Sequence, residues 1–249
     1  MKDLKIINGK FPDFDSNSWV QADILIHGGK IEKIGNVSEE CTQVIDAEGK
    51  VVSPGFIDIH AHEDKFAGGR EDDFFTAGRG LQMGVTTQIV GNCGDSYNSM
   101  EDFVGRIDKE GAPLNIMTFI GQNYLRELAG AGDRYAPSTR QQLEKMKSLL
   151  NEMKKYSPVG ISCGFEYAPG VTTEETIELV RAMESDKYLV SVHFRQDGPK
   201  APESTRELIE ISKATGCAIE MSHIGSCSAV GYMDETLKII EDAIVNGTD

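Results

Sequence analysis

From Gly55 onward the chain alternates short apolar runs with longer stretches in which apolar residues return every three or four positions. The runs fall at residues 56–59, 85–90, 115–120, 159–163, 188–192 and 217–221. Short apolar runs bounded by turn-formers predict buried strands, and the longer periodic stretches predict helices that lay one apolar stripe on them. "STRQQLEKMKSLLNEMKKY" is such a stretch, with Ser138 or Thr139 as its N-cap and a stop before Pro158. "TTEETIELVRAMES" is another, with Thr172 or Thr173 as cap and glutamates in its first turn, where the helix dipole favours negative charge. The last segment, "DETLKIIEDAIVNGTD", predicts a helix that stops where a seventh strand would begin.

Strand and helix in alternation predict a parallel sheet, because parallel neighbours need long crossovers. Two α/β architectures accommodate this, an open doubly wound sheet and a TIM-like (β/α) barrel. No Gly-x-Gly-x-x-Gly follows the first strand, and the chemically suggestive residues sit at the carboxyl ends of several strands, which favours the barrel. About six β/α units are present instead of eight, so the barrel over residues 53–249 is read as incomplete. Its first and sixth strands would then be open edges that need covering, by further chain or by a second copy in a homo-oligomer.

The first fifty residues have a different rhythm. "LKIIN", "ADILIHGGKIEKIG" and "QVIDAEGKVVSPG" read as short strands, with Gly28-Gly29 as a hairpin turn between apolar runs and His27 beside it. Residues 1–52 thus predict a small β module, too slight to stand alone, that forms part of a composite sandwich.

Composition narrows the class. With 39% hydrophobic residues and no apolar run near the roughly 20 that a span requires, neither disorder nor a membrane protein is expected. The formal charge of −15, with no basic patch, argues against nucleic acid. Five scattered cysteines do not suggest a disulfide framework, and the opening "MKDLKIINGK" lacks the pattern of a secretory signal, so a cytoplasmic protein is expected.

Chemistry concentrates at the strand ends. In "PGFIDIHAHED", His60 and His62 stand at i and i+2, so on a strand both imidazoles point to one side and can reach one ion. Cys93, in "TTQIVGNCGDS", is either a buried small hydrophobe or a thiolate ligand; Cys41, Cys163, Cys217 and Cys227 are expected to be packing residues. His223 ends the sixth run as a further imidazole ligand, and His193 ends the fifth as ligand, proton shuttle or substrate contact. Arg195 is a carboxylate clamp or a solvated side chain. Tyr167, beside Glu166, either donates to a carbonyl oxygen as charge develops there or packs on the Pro169-Gly170 loop.

Taken together, "PGFIDIHAHED", "GVTTQIVGNCG", "GISCGFEYAPG", "VHFRQDG" and "MSHIG" resemble the amidohydrolase superfamily, and within it the N-acyl-D-amino-acid deacylases, or D-aminoacylases. The absence of a lysine from "VGISCGFEYAPG" removes the carboxylated-lysine bridge that dihydroorotase-like and hydantoinase-like enzymes use. The resemblance implies zinc held by His60, His62, Cys93 as bridging thiolate, and His223. Tyr167, His193 and Arg195 would line the substrate site, with Arg195 toward the α-carboxylate. It implies metal-assisted hydrolysis of a small-molecule N-acyl amino acid; the alternatives are an amidohydrolase that acts on a cyclic amide and a truncated, non-catalytic homologue that binds metal or ligand. It also implies a catalytic aspartate after the last barrel strand, to which no residue here is matched; Glu63, Asp64 and Glu166 are only stand-ins.

Overall fold

The computed structural model describes residues 1–62, 74–96, 99–184 and 188–248. Glu63 and Asp64 lie outside the described residues. The chain divides into two compact units, residues 1–55 and 56–249.

The first unit is a four-stranded sheet of β1 (Lys2–Asp13), β2 (Ser18–His27), β3 (Lys30–Gly35) and β4 (Cys41–Asp46), in the order β3-β2-β1-β4. The β2–β3 hairpin closes through Gly28 and Gly29, with φ of 59° and 72°, so His27 pairs with Lys30 across a two-residue turn. Both positions need the left-handed region that glycine enters without a Cβ penalty, as the sequence predicts. β1 pairs parallel with β4 and antiparallel with β2. Ile31, Ile34, Val44 and Ile45 remain exposed on this sheet.

The second unit is α/β with parallel sheets. Its strands are β5 (Phe56–Asp58), β6 (Val85–Val90), β7 (Asn115–Thr118), β8 (Ile120–Gly121), β9 (Gly160–Gly164), β10 (Leu189–His193) and β11 (Ile219–Met221). The helices are α1 (Phe75–Gln82), α2 (Met100–Glu110), α3 (Gln122–Ala129), α4 (Arg140–Met153), α5 (Thr173–Ala182), α6 (Ala201–Thr215) and α7 (Met233–Val245). The sheets run β5-β6-β7 and β8-β9-β10-β11, with every neighbouring pair parallel. The apolar run at 115–120 predicts one strand, and the structure divides it at Phe119. There the backbone N–H donates back to Val90 O at 2.9 Å while Thr118 O accepts from Val159 N at 2.9 Å, so the strand path hands its pairing from β6 to β9.

Local signals account for the helix starts. Thr139 caps α4 with a full capping box to Gln142, and Thr172 Oγ1 accepts from Glu175 N at 3.1 Å at the head of α5. Helix α3 is an addition to the predicted set. Its reason is tertiary: the fully buried Leu125 packs into the core, and the buried Arg126 donates to Glu175 Oε2 of α5 at 2.8 Å.

Strand alternation divides the second unit's residues. Ile161, Cys163, Val190 and Val192 face the helices and join Leu150, Leu179 and Leu208 in the main core. Each such burial contributes roughly 1.5–3 kcal/mol, enough to hold the register. The alternate residues Ser162, Ser191 and His193 therefore share the opposite face, buried and polar. Among the described residues no helix is long and apolar enough to cross a membrane.

Candidate metal centre

The sequence places His60 and His62 on a strand; β5 ends at Asp58, and both lie just beyond it. Ladder pairing nevertheless persists, since Ala61 N donates to Ile89 O at 3.1 Å. The i, i+2 relationship survives, and the two rings meet edge to face with centroids 5.6 Å apart.

Cys93 sits on the turn after β6 with φ of 59°, a left-handed conformation that is costly for a residue with a side chain and tends to occur at functional sites. Its neighbour explains how the turn is held. Asn92, fully buried, donates from Nδ2 to Ala61 O and Ile89 O, both at 2.9 Å, and accepts from Ser191 Oγ at 2.8 Å. One amide thus ties the histidine loop, the Cys93 turn and β10 together. Gly94 N donates to Ser162 Oγ at 3.1 Å, which fastens the same turn to β9.

Around the Cys93 sulfur stand three imidazoles: His60 Nε2 at 3.6 Å, His193 Nδ1 at 3.7 Å and His223 Nε2 at 3.9 Å. The rings of His60 and His223 are 5.0 Å apart and those of His193 and His223 4.4 Å. Two donor trios share the thiol, His60-His62-Cys93 and Cys93-His193-His223, each with ligand atoms within 4.8 Å of one another. His193, left open between three roles in the sequence, is placed among the ligand candidates. His223 is itself left-handed, with φ of 39°, so two members of the cluster are held in strained backbone.

The donors fit a cation. Tetrahedral geometry with Zn–N near 2.0 Å and Zn–S near 2.3 Å sets an N···S separation of about 3.6 Å, close to the three distances here. Imidazole with thiolate is a donor set that suits zinc. His60 Nδ1 is buried without a hydrogen-bond partner, an orphaned polar atom of the kind found beside ion sites.

Electrostatics agree. Burial, then the neighbouring His223 and His62, push the His60 pKa down to about 4, and burial followed by His193 lowers that of His223. These imidazoles are neutral at physiological pH, with lone pairs to offer. Burial, then Asp95 and Glu220, push the Cys93 thiol up to about 12, a preference that a coordinated cation reverses.

Tyr167 is close, its ring centroid 4.6 Å from that of His193, and burial raises its phenol so that the hydroxyl stays a donor. It also borders a cavity of about 190 Å³ lined by Asp95, Asn123 and Arg134. Arg195 is held by its own set of partners. Its Nε and Nη2 bind Glu207 of α6 at 2.9 and 2.7 Å, Nη1 donates to Pro169 O at 3.1 Å, and the guanidinium lies over the Phe165 ring. Glu207 occupies the Nε/Nη2 edge, and the Nη1/Nη2 edge keeps one further N–H on each nitrogen.

Two further side chains stand beside the cluster in contacts that the sequence does not specify. Cys227, expected only to pack, has its sulfur 3.1 Å from His223 Nδ1, with Ser228 Oγ at 3.3 Å from the same atom. Glu166 Oε2 lies 2.7 Å from His193 Nε2. Cys163 and Cys217 are buried in the core as expected, and His27 stays with Asp3 in the β module.

A family model described as "Amidohydrolase family" matches residues 43–104. The D-aminoacylase of Alcaligenes xylosoxydans xylosoxydans is 27% identical, over 97% of this chain and 55% of the relative. The N-acyl-D-glutamate deacylase of the same organism is 28% identical, over 82% and 46%. Among solved structures, the N-acyl-D-glutamate deacylase of Bordetella bronchiseptica, complexed with zinc and a phosphonate inhibitor, superposes with a TM-score of 0.81 at 26% identity, covering 100% of this chain and 57% of that one. The chain spans about half the length of the curated relatives it matches. It is similar to the D-aminoacylases along nearly its whole length.

Proposed function

With that likeness as premise, we propose that the chain carries the metal centre of a hydrolase of linear amides, one that deacylates N-acyl-D-amino acids. The observation that carries this reading is the single sulfur of Cys93 facing three imidazoles at 3.6–3.9 Å. His60 and His62 would hold zinc from one side of the thiolate, and His193 and His223 from the other. When bound, zinc supplies Lewis-acid polarisation of an acyl carbonyl and a nucleophile from water at neutral pH.

The chain's own residues do the rest. Asn92 fixes the spacing between the histidine loop and Cys93. Tyr167 offers an O–H to a carbonyl oxygen as negative charge builds on it, and the cavity it borders takes part of the substrate. Arg195, with its Nε edge on Glu207, keeps one N–H on each of Nη1 and Nη2 for a substrate carboxylate.

The same premise extends to architecture. Among the described residues β5 and β11 each have one strand neighbour, and beside β11 a groove of about 240 Å³ is lined by Leu208, Ile219, Met221, Leu237, Ile240 and Ile244. This supports an incomplete barrel of six strand positions. The apolar residues left exposed on the first sheet support a module, residues 1–52, that is part of a composite sandwich. The five free thiols fit a reducing cytoplasm.

The test is metal analysis with a substrate panel. The purified protein should contain zinc, and Cys93→Ala should lower both zinc content and hydrolysis of N-acetyl-D-amino acids. Unchanged zinc and activity in that variant would refute the assignment. Preference for a cyclic amide, such as a hydantoin, over the linear ones would move the protein to a different branch of amidohydrolases.

A further inference from the structure

His193 lies between two unlike neighbours. Its ring is buried, Nδ1 is 3.7 Å from Cys93 Sγ, and Nε2 is 2.7 Å from Glu166 Oε2. A neutral imidazole carries one N–H, and only the other nitrogen has a lone pair to give. An ionised carboxylate can only accept, and a hydrogen bond to it is roughly twice as strong as one between neutral partners. The proton of His193 therefore belongs on Nε2, facing Glu166.

The other two imidazoles around the thiol lack such a constraint. His223 Nδ1 meets a thiol and a hydroxyl, each able to donate or accept, and His60 Nδ1 has no partner. The rival acceptor for His193 is Asp197, whose carboxylate joins Glu166 and His193 in a third group of donor atoms within 4.8 Å of one another. Asp197 Oδ1 is buried without a partner, so the 2.7 Å bond is that of Glu166.

From this geometry we infer that Glu166 is a positioning residue: it accepts the Nε2 proton of His193 and holds the tautomer whose Nδ1 lone pair faces Cys93 and His223. The inference rests on reading the cluster as a metal centre. It adds that one ligand is set in orientation and tautomer before any ion arrives, by a side chain that acts through His193. Partners of this kind typically contribute 10–100-fold in metal affinity.

The test separates the two claims. With ¹⁵N-histidine and metal removed by a chelator, two-bond nitrogen–proton spectra report each ring's tautomer, His193 being assigned by loss of its signals in His193→Asn. Wild type should show His193 as the Nε2–H form. Glu166→Ala should give a tautomer mixture and a zinc dissociation constant raised about 10–100-fold in competition with a chromophoric chelator. Glu166→Gln, which keeps the volume and weakens the acceptor, should raise it less, and Asp197→Asn should leave both readouts within twofold of wild type.

An Nδ1–H ring in wild type, an unchanged tautomer and zinc affinity in both Glu166 variants, or an effect in Asp197→Asn in place of theirs, would overturn the inference. Failure of the metal reading looks different: wild type would take up no zinc, or Cys93→Ala would bind it as tightly. The metal-free spectra would still decide the role of Glu166.

Discussion

A Cβ on Gly164 would stand 2.0 Å from the carbonyl oxygen of Cys93. The end of β9 and the turn after β6 are in backbone contact at this point, and the contact holds Cys93 in the cluster. Gly164→Ala should therefore push the turn away. Overpacking of this kind costs typically 1–3 kcal/mol, and the obstruction here is backbone that cannot rotate aside. Urea unfolding should show that loss together with weaker zinc binding. Full zinc affinity in a folded Gly164→Ala protein would mean that the contact does not position Cys93.

Asn92 makes a second prediction. Asn92→Ala leaves Ala61 O without its side-chain donor and removes an acceptor from Ser191, all in a buried seam. An unmade hydrogen bond at a buried group costs about 1–3 kcal/mol, so the midpoint of urea unfolding should fall accordingly. Asn92→Asp should fare no better, since a carboxylate cannot donate to Ala61 O.

The ion pair between Arg126 and Glu175 is buried, and Gln122 Nε2 and Ser138 Oγ also donate to that carboxylate. Glu175→Ala would strand the Arg126 charge, at about 3–5 kcal/mol. Glu178 is the control. Its pairs with Arg140 and Lys147 lie at the surface of α4 and α5, and Glu178→Ala should cost under about 1 kcal/mol. Equal losses from the two substitutions, in thermal or urea unfolding, would mean that burial of the pair is not what matters.

Glu220 predicts a pH effect. Burial raises its carboxyl pKa above the ordinary 4.5, against the opposing bonds from Ser191 and Ser222. Ser191 Oγ, with one proton, sits within bonding reach of both Asn92 Oδ1 and Glu220 Oε2, which suits a protonated Glu220 that donates to Ser191. Above pH 4.5 the unfolded chain has lost this proton while the folded chain still holds it, so stability falls as pH rises through that window. Glu220→Gln mimics the protonated acid. It should be more stable than wild type at neutral pH and should lose that advantage below pH 4.5, as unfolding of the metal-free proteins at both pH values would reveal.

The periodic pattern alone determined much of the fold. Strand positions, the Gly28-Gly29 hairpin and the caps at Thr139 and Thr172 depend on residues a few positions apart, and a linear text records such relations directly. His60 and His62 were legible for the same reason. Convergence is a different matter. Cys93 meets His193 across 100 residues and His223 across 130, and only the parallel register of β9, β10 and β11, with the turn after β6 fastened to β9, decides that these strand ends share one point. Arg195 is a similar case: its residue type suits a carboxylate partner, and packing of α6 is what supplies Glu207 as one. The break at Phe119, the burial of Arg126 and the bond from His193 to Glu166 belong to the same class. Each depends on which side chain arrives nearest in space, and that is set by how helices and strands pack against one another.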